Sequence, residues 1–362
     1  MSADGPDRAR SLSWLELALA AALGGGAFAL LGMEIVWVIA GVVAGWVLCR
    51  VYQRRDRGAA PSSALRRHGQ ILVGGALGPA LATQHFDGEL GYIPVLVGAL
   101  IAVLVGSVLV AYAYSRWAGI DQLTSGLATL PGGLVILPAV AADLDRSPQL
   151  VAVVQAARMV VVVGVVAAVA PALGDVARLP LSSVAEIPGS VPGWGYWAVL
   201  LAGSYGAAHL ASRWRVPVAA LLGPMFFAFA AVLALRALGV HTDLLGVPHA
   251  QEMLGQLLLG VTVGEYLAQR TRLPLSVVTR GFVSVAATFL LAVGIAAVLT
   301  AVTPWSFLTC LLIVAPGGAP EMVVIAAAVD ADLHVVVLAQ ILRQLAINGA
   351  LPLWIALFRR LG

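Results

Sequence analysis

The sequence predicts an all-α polytopic membrane protein built from two internally duplicated helical repeats, each with a helix broken by Pro-Gly-Gly. Three observations carry that expectation. Apolar residues make up 60% of the chain and charged residues 11%, and the mean hydropathy is +0.96, outside the range of an ordinary soluble domain. Apolar runs long enough to cross a hydrocarbon core about 30 Å thick recur along the chain. The triplet Pro131-Gly132-Gly133 returns as Pro316-Gly317-Gly318, and proline and glycine there force a helix to break inside an apolar run.

Taken in order, residues 1–12 read as a cytoplasmic N-terminus. Met1 to Arg10 is polar and has no signal-peptide cleavage pattern, so the first apolar run is expected to be retained. Trp14 to Leu31 and Ile35 to Arg50 meet at Gly32-Met33-Glu34 as a helical hairpin. The loop that follows carries Arg50, Arg54, Arg55, Arg57, Arg66 and Arg67, a cytoplasmic anchor by the positive-inside rule; an anionic-lipid or nucleic-acid patch is the alternative. Gly69 to Thr83 contains Gln70, Gly74 and Gly78, a pattern that reappears as Gln256, Gly260 and Gly264. Small residues at this spacing let helices approach closely. A long helix from Tyr92 to Tyr114, a broken segment from Gln122 to Ala142 and a second long helix from Gln149 to Ala170 complete a first repeat, 13–172.

The Pro- and Ser-containing stretch 173–193 is the linker. A second repeat, 194–360, follows the same plan: Trp194 to Ser212, Val216 to Leu238, Gln251 to Leu267, Leu275 to Val302, the break at Pro316, and His334 to Phe358. A shift of 185 residues (316 minus 131) pairs Thr124 with Thr309, Asp145 with Asp330, Gln155 with Gln340 and Arg158 with Arg343. A break followed twice at one distance by Gln-x-x-Arg indicates duplication.

Charge sets the expected topology. All 21 basic residues are arginine, which with the abundant alanine, glycine and valine suggests a GC-rich bacterial genome and hence the inner membrane. The net charge of +3 comes from loop arginines and signals topology, with no nucleic acid implied as a partner. If each half crosses an odd number of times, Arg213, Arg215, Arg270, Arg272, the 50–67 loop and Arg359-Arg360 all lie in the cytoplasm, and His85 to Glu89 and His241 to Asp243 lie outside. The odd count makes the repeats inverted, for instance because the Pro-Gly-Gly segments re-enter. Cys49 and Cys310 stand apart, with no disulfide framework and no metal site implied.

Polar groups at membrane depth are costly and face a bundle interior or a water-filled cavity. Gln155 and Arg158 share a helix face, as do Gln340 and Arg343. Each arginine either satisfies carbonyls freed by the nearby break or helps line one anion site; both readings stay open. Glu321, three residues after Gly318, is placed to pair with Arg343, to cap its helix, or to carry a coupling proton or sodium ion. Glu265 beside Gly264 offers a weaker case of the same kind. Broken helices in two related halves point to a transporter site near the midplane. The candidate substrate-binding set is Pro131, Gly132, Gly133, Gln155, Arg158, Pro316, Gly317, Gly318, Gln340 and Arg343.

Leu-Ala-Thr-Leu-Pro-Gly-Gly at 127–133 and Val-Ala-Pro-Gly-Gly-Ala-Pro-Glu-Met at 314–322, each followed by Gln-x-x-Arg, resemble the duplicated membrane AbrB family, as do Gln256 to Gly264 and Pro217 to Gly223. The resemblance covers roughly residues 13 to 360. Its members are also labelled ammonia monooxygenases and regulators of gene expression. Their Pro-Gly-Gly-x-x-Glu-Met pattern is intact only in the second copy here; Ile136-Leu137 replaces Glu-Met in the first.

The residues favour a secondary transporter of a small anionic metabolite, with no cofactor and no catalytic residue. A membrane regulator acting through a metabolite or partner is the first alternative. A membrane monooxygenase is the second, although the six histidines, His68, His85, His209, His241, His249 and His334, are scattered. Oligomeric state stays open, a homo-oligomer included. The inverted topology is tested by single cysteines at Trp214 and Thr271. Both should react with a membrane-impermeant thiol reagent from the cytoplasmic side only, and labelling of both from outside would remove the inversion.

Overall fold

A computed structural model describes residues 5–31, 36–54, 62–82, 89–131, 136–173, 191–216, 218–239, 247–268, 274–329 and 331–362. Among these, every regular element is helical. The helices are α1 (Gly5–Leu31), α2 (Val36–Arg54), α3 (Ser63–Ala82), α4 (Ile93–Ala118), α5 (Gln122–Thr129), α6 (Ile136–Asp143), α7 (Pro148–Leu173), α8 (Val191–Arg213), α9 (Ala219–Ala237), α10 (His249–Ala268), α11 (Leu275–Val302), α12 (Phe307–Val314), α13 (Ala319–Ala328), α14 (Leu333–Gln344) and α15 (Leu351–Leu361). A short 3₁₀ turn, Glu89–Tyr92, leads into α4, and a π turn, Leu345–Gly349, follows α14.

Six described helices are long and apolar enough to cross a bilayer: Trp14–Leu31, Val36–Gln53, Ile93–Ala118, Pro148–Val166, Ala219–Ala237 and Leu275–Val302. A seventh span arises if Leu333–Gly349 and Leu351–Leu361 count as one, bent by 63°. Large apolar side chains such as Leu109, Leu290 and Val298 point outward, while Gln155, Arg158, Glu321 and Arg343 are buried. Apolar outside and polar inside is the arrangement lipid demands. This is a multi-pass membrane protein.

Local chemistry explains the ends of these elements. Pro94 opens α4, where a missing N–H costs nothing, and α4 closes at Gly119, whose φ of 66° lets its N–H reach Ser115 O. His334 to Phe358, expected as one helix, instead bends at Ala350. Pro352 in the first turn of α15 has no N–H and blocks the carbonyl a turn earlier, so the helix cannot run on. The Gly69-to-Thr83 segment is longer than expected, beginning at Ser63. The 32–34 hairpin, Asp330, all but Glu89 of the extracellular stretch expected from His85 to Glu89, the one expected from His241 to Asp243, and nearly all of the linker fall outside the described residues.

The chain forms two compact units, each drawing on both sequence halves: Met1–His85 with Val176–Ala268, and Phe86–Asp175 with Gln269–Gly362. In the first unit α2 packs on α10, α3 on α9 and α10, α1 on α2, and α8 on α9. Glycines set these approaches. A Cβ on Gly45 would strike Val261 O, one on Gly264 would strike Val42 O, and one on Gly78 would lie 2.6 Å from Met225 O. The repeated Gly-x-x-x-Gly spacing is thus a helix-packing device here. In the second unit α4 packs on α11, α5 and α6 on α7, α12 on α11 and α14, α13 on α14, and α15 on α5. Tyr114, Leu127, Leu130, Leu137, Val151 and Phe358 fill its core.

Replacing Gly264 by valine must push α10 off α2 and is expected to cost on the order of 1–3 kcal/mol. A Cβ on Gly206 in α8 would meet nothing within 4 Å, and Gly206→Ala should leave stability within about 0.5 kcal/mol. Thermal unfolding of the two purified variants beside wild type measures the contrast.

Candidate functional site

The second unit holds both breaks. Its α5 and α12 are eight-residue helices, and each end of one lies 185 positions from the same end of the other (307 minus 122, 314 minus 129). Each starts on a side-chain cap. Asp121 accepts from Thr124 N–H at 2.8 Å, and Ser306 from Thr309 N–H at 3.1 Å. Thr124 also donates its hydroxyl to Asp121, and Thr309 donates to Asp332 at 3.0 Å. The paired threonines therefore belong to helix starts and not to the breaks.

Both helices stop in the same backbone conformation, φ −53° and ψ 129° at Leu130 and φ −54° and ψ 131° at Ala315. Stopping leaves carbonyls with no partner in their own helix. The neighbouring helix supplies donors. From α7, Gln155 Nε2 donates to Leu127 O at 2.8 Å and Leu130 O at 3.1 Å. Arg158 Nη1 donates to Thr129 O at 3.1 Å and Leu130 O at 2.7 Å, and its Nη2 to Gln155 Oε1 at 2.5 Å. From α14, Gln340 Nε2 donates to Leu312 O at 2.8 Å, and Arg343 donates to Ala315 O at 2.5 Å, to Gly317 O at 2.9 Å and to Gln340 Oε1. The four donors are 1–5% exposed.

These bonds give the arginines a structural role as caps of broken helices. They do not use every donor: Nε of Arg158 and Nε of Arg343 are buried with no hydrogen-bond acceptor among the described residues. The two guanidinium groups also lie close enough for the charge of Arg343 to act on Arg158. Glu321, 1% exposed in the first turn of α13, acts electrostatically on Arg343. Its carboxylate folds back over Gly318, where a Cβ would collide with it, and Met159 Cε lies 3.4 Å from that same Cβ position. The residue beside Arg158 thus reaches the start of α13, and Arg158, Arg343 and Glu321 form one cluster. Met159 carries no sequence signal, since a methionine in an apolar helix looks like any core residue.

Pro131, Pro316 and Gly317 are buried at the breaks and Gly318 is half-buried; Gly132 and Gly133 lie outside the described residues. A cavity of ≈ 10 Å³ lies between α4, α12 and α14, lined by Leu96, Leu100, Val103 and Ile313 with Arg343 at its wall. That holds about one water, so seating a metabolite there would require α4 to part from α12 and α14. Among the described residues, no three of His, Cys, Asp and Glu gather as a metal-holding group.

Fold and cluster together define a polytopic helical membrane protein with two broken helices tied to buried Gln-x-x-Arg pairs. Residues 37–359 match the family described as transition state regulatory protein AbrB, and the chain belongs to that family. It is also similar to "Uncharacterized protein YhjN" of Bacillus subtilis (strain 168), at 26% identity over 351 residues, covering 91% of this chain and 89% of that protein.

Because the glutamine bonds recur at both breaks, Gln155→Leu and Gln340→Leu should destabilise alike. Each strands a buried carbonyl, Leu127 O or Leu312 O, at about 1–3 kcal/mol. Chemical denaturation in detergent reads this out, and a loss in one variant only would show that the two caps are not equivalent.

Proposed function

We propose that the protein is a secondary transporter of a small organic anion in the bacterial inner membrane, with its site at the two breaks of the second unit. The observation that carries this reading is the charge of the cluster. Two buried arginines face one buried glutamate, and each arginine keeps an Nε–H with no acceptor among the described residues. Buried charge is expensive unless paired. A carboxylate or similar anion would neutralise the remaining positive charge and accept from both Nε–H groups. Short helices ended by Pro-Gly-Gly are also the kind of discontinuous backbone that transporters use around a substrate. In this reading Gln155 and Gln340 position the arginines, and Glu321 carries a coupling ion by exchanging its hold on Arg343 with the substrate.

The family's description favours a second reading, in which the protein regulates gene expression through a metabolite or a partner. Anion binding at the same cluster without flux would fit it.

The test is thermal stability of purified protein against a panel of small carboxylates and amino acids, for wild type, Arg158→Gln and Arg343→Gln. A ligand binding only the folded state raises its stability, by about 2.7 kcal/mol at a hundredfold excess over Kd. The expected result is a shift with one ligand class that both variants lose, followed by uptake in proteoliposomes. No shift with any ligand, while both variants unfold much more readily, would leave the arginines as caps alone.

A further inference from the structure

The first unit buries two carboxyl groups that play no part in the anion site. Glu16 on α1 is 0% exposed and Glu265 on α10 is 2% exposed. The helices that carry them are in contact, and the two carboxyl groups interact directly. Glu265 Oε2 accepts from Ser62 N–H at 2.8 Å. Neither oxygen of Glu16 meets an N–H or O–H donor among the described residues.

Among the described residues, two arginines act on the neighbours of the pair. From α2, Cys49 stands beside the pair, its Sγ 4.0 Å from Glu265 O and accepting from Gln53 Nε2 at 3.4 Å. Cys49 feels both carboxyl groups, whereas Arg50 acts on Cys49. From α10, Tyr266 lies next to Glu265 and is the group on which Arg66 of α3 acts. Ionised carboxylates accept hydrogen bonds and donate none, and two of them side by side in a low-dielectric interior cannot both stay charged.

We propose that Glu16 and Glu265 form a proton-binding site that holds a single proton between the two carboxyl groups. The Ser62 N–H favours charge on Glu265, so the proton sits on Glu16 and is donated to Glu265. The site lies in a different unit from the arginine cluster and does not depend on the transporter reading. It gives the chain a titratable group on α1, at the α1–α10 contact, and its ligand is a proton and not a metal ion.

Infrared spectroscopy of the purified full-length protein at neutral pH tests this. Wild type should show the C=O stretch of a protonated carboxyl that Glu16→Gln lacks and Glu321→Gln retains. The band should bleach as pH is raised and return when pH is restored, a wild-type measurement that stands even where a variant folds poorly. Absence of the band from wild type, or its survival in Glu16→Gln, overturns the proposal. So does its loss on adding sodium at fixed pH, because a metal cation would then own the site.

Discussion

A helix that ends inside an apolar interior must find donors for its last carbonyls, and the second unit is arranged around that requirement. The carbonyls of Leu127, Thr129 and Leu130 at one break, and of Leu312, Ala315 and Gly317 at the other, are met by side chains from the next long helix. Each set of bonds fixes where α7 or α14 stands relative to the helix it caps. Arginine suits the task better than lysine. Its planar fork reaches two carbonyls and the companion glutamine at once, and it stays charged when desolvated. Glutamine supplies the complement, since its amide donates to the chain while its oxygen orients the guanidinium.

Capping draws on only some of the donor atoms of these side chains. The caps consume Nη1 and Nη2 and, among the described residues, leave Nε without an acceptor. An arginine held so firmly by backbone carbonyls has lost its rotamer freedom before any ligand arrives, which is the preorganisation a buried anion site needs. The two sequence readings of Arg158 and Arg343, as caps and as ligand donors, are thus compatible within one geometry. Glu321 breaks the likeness between the copies. With Ile136 at the corresponding position, the cluster has a single carboxylate to set against two guanidinium groups.

Much of this is legible in the sequence because its causes are local. Pro-Gly-Gly stops a helix wherever it falls, Gln-x-x-Arg at one spacing sets both donors on one face, and glycines four apart mark a close helix approach. What stays hidden depends on partners distant in the chain. The two halves read as two consecutive repeats, yet each compact unit interleaves segments from both, because α2 chooses α10 and α4 chooses α11. The bend at Ala350 escapes a sequence reading because one proline near the end of an apolar run is compatible with a continuing helix until its neighbours are known. Glu16 looks like a lone carboxylate in the first apolar run; only the fold brings Glu265, 249 positions on (265 minus 16), against it.

Each unit buries charged groups with atoms that the described residues leave unmet. In the second, Nε–H of Arg158 and of Arg343 meet no hydrogen-bond acceptor among the described residues. In the first, both oxygens of Glu16 meet no donor among the described residues. An unmet buried donor carrying positive charge is relieved by an acceptor, and an unmet carboxylate by a proton or another cation. Unmet polar groups cost several kcal/mol each in an apolar interior, so relief at either place would favour whatever supplies it. The proposed anion site and the proposed proton site use different side chains, so an anion and a proton would not compete for the same groups.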